Sequence, residues 1–218
     1  MSQKICWIFG ATGLIGNHFM QKACENDHYQ TIHVFSRRKI QFSHPKLNVH
    51  IIDFRQLESA LSSIEPGDIF CCLGTTMKQA GSKEAFKFVD YFLPTEIARI
   101  GKQKSCQKYL LVSSMGADPN SMVFYSQVKG ETESEIAKYQ IKYTHFLRPS
   151  LLLGERDENR MGENIGKVVM NAINPLLIGP MRKYQAIKGE TVAQAMLNIA
   201  IKTPDQKIFL SDEIKDWS

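Results

Sequence analysis

No apolar run in the 218 residues approaches the length needed to cross a bilayer. The start of the chain carries no basic-then-apolar signal segment, so the expected compartment is the cytosol. No low-complexity linker, internal repeat or charge block divides the sequence, which favours one domain over two. Five cysteines are an odd number without a framework spacing, which argues against disulfides. Cys71 and Cys72 are adjacent, so in a strand they would point to opposite faces and could not easily share a metal. His28, His33, His44 and His50 are scattered and read as surface or strand residues, and no metal site is expected. A net charge of +5, spread along the chain, is too modest to imply nucleic acid.

What is present is an alternation. Apolar runs of strand length occur at 4–9, 31–35, 48–52, 68–73, 108–112, 143–147 and 207–210, several of them apolar on both faces. Helical patterns fall between them at about 13–26, 88–103, 122–140 and 190–202. Pro94 fits the first turn of the 88–103 helix, or kinks it. Together these predict an α/β fold, a doubly wound parallel sheet of the Rossmann type covered by helices. The stretch 150–187, rich in Gly, Asn, Pro and Arg, breaks the rhythm. It reads as an excursion packed over the ligand crevice, with one short helical pattern around 166–170.

The first run leads straight into Gly10-Ala11-Thr12-Gly13-Leu14-Ile15-Gly16. Gly10 would allow a tight turn, Gly13 would let backbone approach a phosphate, and Gly16 would let the following helix lie on the sheet. The bare N–H groups of that helix could hold a pyrophosphate. The second strand ends at Ser36-Arg37-Arg38, without the carboxylate that usually accepts the ribose hydroxyls of NAD. Two guanidinium groups beside a hydroxyl suit a 2′-phosphate instead. A solvated basic loop extended by Lys39 is the plainer reading of the same residues.

Further along, Ser113-Ser114 follow the fifth run, and Tyr125 and Lys129 lie four apart on a helix, sharing one face. An ammonium beside a phenol stabilises the phenolate, and a serine hydroxyl can hydrogen-bond a carbonyl. With a hydride carrier, this set suits carbonyl and alcohol chemistry. Ser114 is preferred to Ser113 for the hydroxyl.

The glycine turn, Tyr125-x-x-x-Lys129 and the preceding serines resemble the short-chain dehydrogenase/reductase superfamily in its atypical branch. Residues 71–76, 113–118, 127–131 and 147–149 are similar to its Tat-interacting-protein-like oxidoreductase subgroup. The resemblance covers about residues 5–200. It implies NADP(H) contacts at Gly10, Thr12, Gly13, Leu14, Ile15, Gly16, Arg37, Arg38, Leu73 and Gly74. It makes Tyr125 the proton donor and acceptor, with Lys129 also on the nicotinamide ribose. Leu152 would face the nicotinamide, and Arg160 would lie near the pyrophosphate. Asp53 resembles an adenine-contacting acid, and equally a helix cap. The implied function is reduction of a small carbonyl compound, or oxidation of the alcohol. An NADP(H)-sensing interaction protein and a cofactor-retaining epimerase or dehydratase are the alternatives. An oligomer or a protein partner is compatible with either class.

Overall fold

The computed structural model describes residues 4–154 and 177–218. Seven strands form the main sheet: β1 (Ile5–Phe9), β2 (Thr31–Ser36), β3 (Leu47–Ile51), β4 (Asp68–Cys71), β5 (Lys108–Val112), β6 (Tyr143–Arg148) and β9 (Ile208–Leu210). Their order is β3-β2-β1-β4-β5-β6-β9, and every pairing is parallel. A second, two-stranded parallel pair joins β7 (Leu152–Leu153) to β8 (Ile187–Lys188). The doubly wound Rossmann-type sheet expected from the alternation is therefore present. Strand order reverses between β2-β1 and β4, which opens a crevice beyond the carboxyl ends of β1 and β4.

Helices cover both faces. Helix α1 (Leu14–Glu25), α7 (Gly189–Lys202) and α8 (Ser211–Asp216) pack on one, sharing a core with Cys6, Ile8, Phe70, Leu110 and Phe209. On the other lie α2 (Leu57–Leu61), α5 (Leu93–Gln103) and α6 (Phe124–Lys138), against Trp7, Phe9, Ile69, Tyr109 and Leu111. Alternate residues of each strand thus enter different cores. Cys71 sits in the second core and Cys72 packs against the first, as their adjacency required. Most of these side chains are fully buried, each contributing about 1.5–3 kcal/mol of transfer free energy.

The helix expected at 88–103 departs from the pattern. Two short helices precede it, α3 (Met77–Ala80), capped by Thr76, and α4 (Lys83–Lys87), capped by Ser82. A π-helical turn at Phe88–Phe92 then feeds α5 directly. Pro94 explains the local widening. It has no N–H, so the carbonyl of Asp90 lacks its ordinary donor four residues on. The buried Thr132 hydroxyl of α6 lies 2.8 Å from that carbonyl and 2.7 Å from the Val128 carbonyl, and its single proton is shared between them. The short pattern at 166–170, and most of the 150–187 excursion, lie outside the described residues. A 3₁₀ turn at Gly179–Tyr184 follows that gap.

Thr132→Val keeps the shape of this contact and removes its donor. The expected loss is about 0.5–1.5 kcal/mol, the net value of one hydrogen bond. Urea denaturation checks it: the midpoint should fall with an unchanged m-value.

Candidate functional site

Five loops converge on the carboxyl edge of the sheet. The first follows β1. Gly10 has φ +87, and a Cβ there would stand 2.6 Å from the Cys72 carbonyl carbon and 2.9 Å from the Leu73 amide nitrogen. Only glycine fits both conditions. Gly16 is pressed against the Gly10 carbonyl, which lays α1 close on the turn. Gly13 differs from both. Its φ of −86 is ordinary, its Cβ position has only the Gly10 oxygen nearby at 3.4 Å, and it is exposed beside Thr12. Gly13 is the N-cap of α1, and no side chain caps that end. The first N–H groups of α1 therefore face outward with partial positive charge and no protein side chain on them. A pyrophosphate fits this cradle. Ile15 is buried and could meet a ligand only through backbone, whereas half-buried Leu14 packs where a Cβ of Gly154 or Gly189 would lie.

The second loop follows β2. Arg37 and Arg38 are exposed, neither is in an ion pair among the described residues, and the Arg38 amide donates to the Ser36 hydroxyl at 3.3 Å. After β3, Asp53 accepts from the Arg55 amide at 2.9 Å, so the capping alternative is realised. Leu73 and Gly74 follow β4, the first half-buried, the second exposed.

The fifth loop meets helix α6. The loop after β5 folds back on α6: the Asp118 amide donates to the Ser126 carbonyl at 3.1 Å. The Ser113 hydroxyl is buried without a partner, whereas Ser114 is half-buried with only a long 3.4 Å contact to the Met115 carbonyl. Tyr125, 36% exposed, opens to solvent one turn before Lys129, which is buried. Its ring lies 5.7 Å from that of Phe86. The Lys129 ammonium lies 2.7 Å from Asp90 Oδ1, and a Cβ on Gly74 would be 3.8 Å from it. Asp90 Oδ2 accepts from the Thr75 amide at 2.8 Å.

Asp90 was missed in the sequence because nothing marks one carboxylate among many. The only available signal was Pro94, which already implied an irregular turn at this place. On α6, Arg148 of β6 donates to buried Glu133 at 2.6 Å, which fixes the helix to the strand. Leu152 is half-buried in β7, and Arg160 lies outside the described residues. Among the described residues no group of three or more metal-binding side chains occurs, and no helix is long and apolar enough to cross a membrane.

Comparison with known proteins bears on the family and the fold. Residues 10–200 match the family model described as NAD(P)H-binding. Protein HTATIP2 of Rattus norvegicus is 31% identical over 202 residues, covering 91% of this chain and 81% of its own. That relative bears out the Tat-interacting-protein-like resemblance. Protein FMP52, mitochondrial, of Debaryomyces hansenii is 31% identical over 198 residues, covering 89% and 86%. Among solved structures, MoeE5 in complex with UDP-glucose and NAD superposes with a TM-score of 0.67 at 14% identity, over 95% of this chain and 75% of the other. The FMP52 relative corrects the cytosolic expectation, since its name places that protein in mitochondria. Composition and unpaired cysteines suit any reducing compartment and could not have separated the two.

Gly13 and Gly10 make a separable prediction. Gly13→Ala should leave stability within about 1 kcal/mol of wild type, the scale of an N-cap change, yet weaken nucleotide binding by filling the cradle mouth. Gly10→Ala should lose about 1–3 kcal/mol through strained backbone, and more through overlap of its Cβ with the Cys72-Leu73 backbone. Thermal melts with calorimetric titration of NADPH measure both.

Proposed function

Because the chain belongs to the NAD(P)H-binding family, we propose that it is an NADP(H)-dependent oxidoreductase reducing a small carbonyl compound, with Tyr125 as proton donor and acceptor. One observation carries the reading. The Lys129 ammonium reaches the loop that ends β4, beside Gly74, with Tyr125 one helical turn away at the open side. Such a pair has a use where a proton must move next to a bound nucleotide.

In this reading the Gly10–Gly16 turn holds the pyrophosphate on backbone N–H groups. Arg37 and Arg38 hold the 2′-phosphate, Asp53 lies toward the adenine, and Leu73, Gly74 and Leu152 border the nicotinamide end. Arg160 joins the pyrophosphate side. The nicotinamide supplies or accepts the hydride when bound. Ser114 donates to the carbonyl oxygen and orients it. Tyr125 passes its hydroxyl proton to that oxygen as the alcohol forms, and Lys129 stabilises the phenolate left behind. One domain, residues 1–218, carries the whole site, with the 150–187 excursion on the substrate side. The FMP52 name favours a mitochondrial setting.

Two outcomes test the proposal. NADPH should bind about ten- to hundredfold more tightly than NADH, the equivalent of one charged hydrogen bond of about 1.5–3 kcal/mol. Arg37→Ala with Arg38→Ala should erase the difference, and equal affinities in the wild type would contradict the 2′-phosphate assignment. Tyr125→Phe should cut carbonyl reduction by about 10²–10⁴-fold while leaving NADPH affinity nearly unchanged. The assay is NADPH oxidation over a panel of aldehydes and ketones. Tight NADPH binding with no turnover on any of them would favour the alternative, a non-catalytic NADP(H)-sensing protein. The names of the HTATIP2 and FMP52 relatives specify no reaction and so leave that alternative standing.

A further inference from the structure

We propose that Asp90 is the positioning residue of this site: its buried carboxylate clamps the Lys129 ammonium and the Thr75 amide together, holding a charged lysine against the crevice wall. The proposal deepens the cofactor reading above and rests on it for what Lys129 touches.

The geometry is specific. One carboxylate serves two different elements, Oδ1 to Lys129 on α6 at 2.7 Å and Oδ2 to the backbone after β4 at 2.8 Å. Both side chains are almost fully withdrawn from water, Asp90 at 0% and Lys129 at 6% exposure. The carboxylate cannot drift. Its backbone sits in the π-helical turn ahead of Pro94, and its carbonyl is held by Thr132 of the same helix that bears Lys129. A lysine with four rotatable bonds is thereby fixed at its far end and at its root. The loop it touches, 73–75, is the one assigned to the nicotinamide end.

A lysine without this partner would be unsuited to the position. Burial pushes the Lys129 ammonium toward the neutral form, and the Asp90 carboxylate overrides that, leaving it above the ordinary lysine value. Tyr125 on the same helix and Cys71 on β4 are the other titratable groups that act on it, and both push in the same direction. The Cys71 thiol is itself pushed up to about 11 by burial, so it stays neutral at ordinary pH. A lysine raised above its ordinary value of about 10.4 adds stability that is complete below that pH and lost only above it. Between pH 7 and 9 the wild type draws no pH dependence from this residue. Without Asp90, burial is the largest influence left, Lys129 is lowered, and stability then rises with pH as the buried ammonium is discharged.

The experiment compares wild type, Asp90→Asn, Lys129→Met and the double variant. Asparagine keeps an oxygen for the Thr75 amide and removes the charge. In Asp90→Asn the urea midpoint should climb between pH 7 and 9, by up to about 0.5 M per pH unit. Lys129→Met and the double variant should lack that climb. NADPH affinity of Asp90→Asn should fall at least tenfold from pH 7 to pH 9, against less than threefold in the wild type. A merely structural role for Asp90 would weaken binding equally at both pH values. A flat midpoint and a flat affinity in Asp90→Asn overturn the proposal. If the wild type binds no NADPH at all, the cofactor reading fails, and the midpoint series still decides whether Asp90 sets the charge of Lys129. If Asp90→Asn does not fold, the double variant decides: a recovered cooperative transition supports the clamp, and no recovery overturns it.

Discussion

Strands β1 and β4 leave the sheet side by side, and the chain after β1 runs so close to the Cys72-Leu73 backbone that no side chain fits between them. The turn at Gly10 must therefore bend with positive φ, and the Gly10 carbonyl must lie under Gly16 for α1 to start where it does. This contact puts an uncapped helix end and the loop after β4 on opposite walls of one crevice. Elsewhere parallel strands could lengthen or shorten by a residue at modest cost. Here a shift of one residue would move both walls and close the gap.

Two cores support that seam from either side. Trp7, Phe9 and Phe35 form a run of aromatic contacts on the α2–α5–α6 face, with the Phe9 and Phe35 rings stacked at 4.7 Å. On the opposite face Phe19 lies 4.1 Å from Phe70, tying α1 to β4 directly. The glycine turn joins β1 to α1, and Phe19 returns α1 to the strand beside β1. The ligand end is thus closed into a ring of contacts within about sixty residues of the chain, and tertiary packing, not helix propensity, holds the bare N-terminus of α1 in place.

Much of this was legible because it follows period and spacing. Strands with apolar residues on both faces, a glycine turn between strand and helix, and Tyr125 four residues before Lys129 each carry their geometry in the sequence. What was not legible depends on distant pairs. Asp90 and Lys129 lie 39 positions apart and no local pattern joins them. His33 and His50, read as unrelated residues, meet at 2.8 Å because β2 and β3 are neighbours, and burial lowers the pKa of both. The short helices α3 and α4 were hidden for another reason. Thr76 caps the start of α3, Gly81 ends it with positive φ and Ser82 caps α4, and such a polar, glycine-containing stretch reads as loop until the capping bonds are seen. The cytosolic placement failed because it rested on the lack of a secretory-type segment, which does not tell the cytosol from a mitochondrion, and cysteine usage reports redox conditions and not an address.

The clamp at Asp90 bears on whether the protein catalyses or only binds. A buried ion pair recovers its desolvation cost only with good geometry, and apolar residues of similar volume often stabilise a fold as well or better. A domain that merely held a nucleotide could rely on backbone N–H groups, which the Gly10–Gly16 turn already provides, and fill the space between α6 and the π-helical turn with leucine or methionine. Instead the chain buries an ammonium and a carboxylate and interrupts a helix to place the carboxylate. It leaves the phenol one turn away open to solvent. That expenditure has a function if the charge acts on something that changes during a reaction, because a fixed cation next to a phenol is of most use when the phenol gives up its proton. A cation fixed there would also hold a bound nucleotide, so the physical cost of the pair shows that a charge is wanted in the crevice and leaves enzyme and sensor to be separated by turnover.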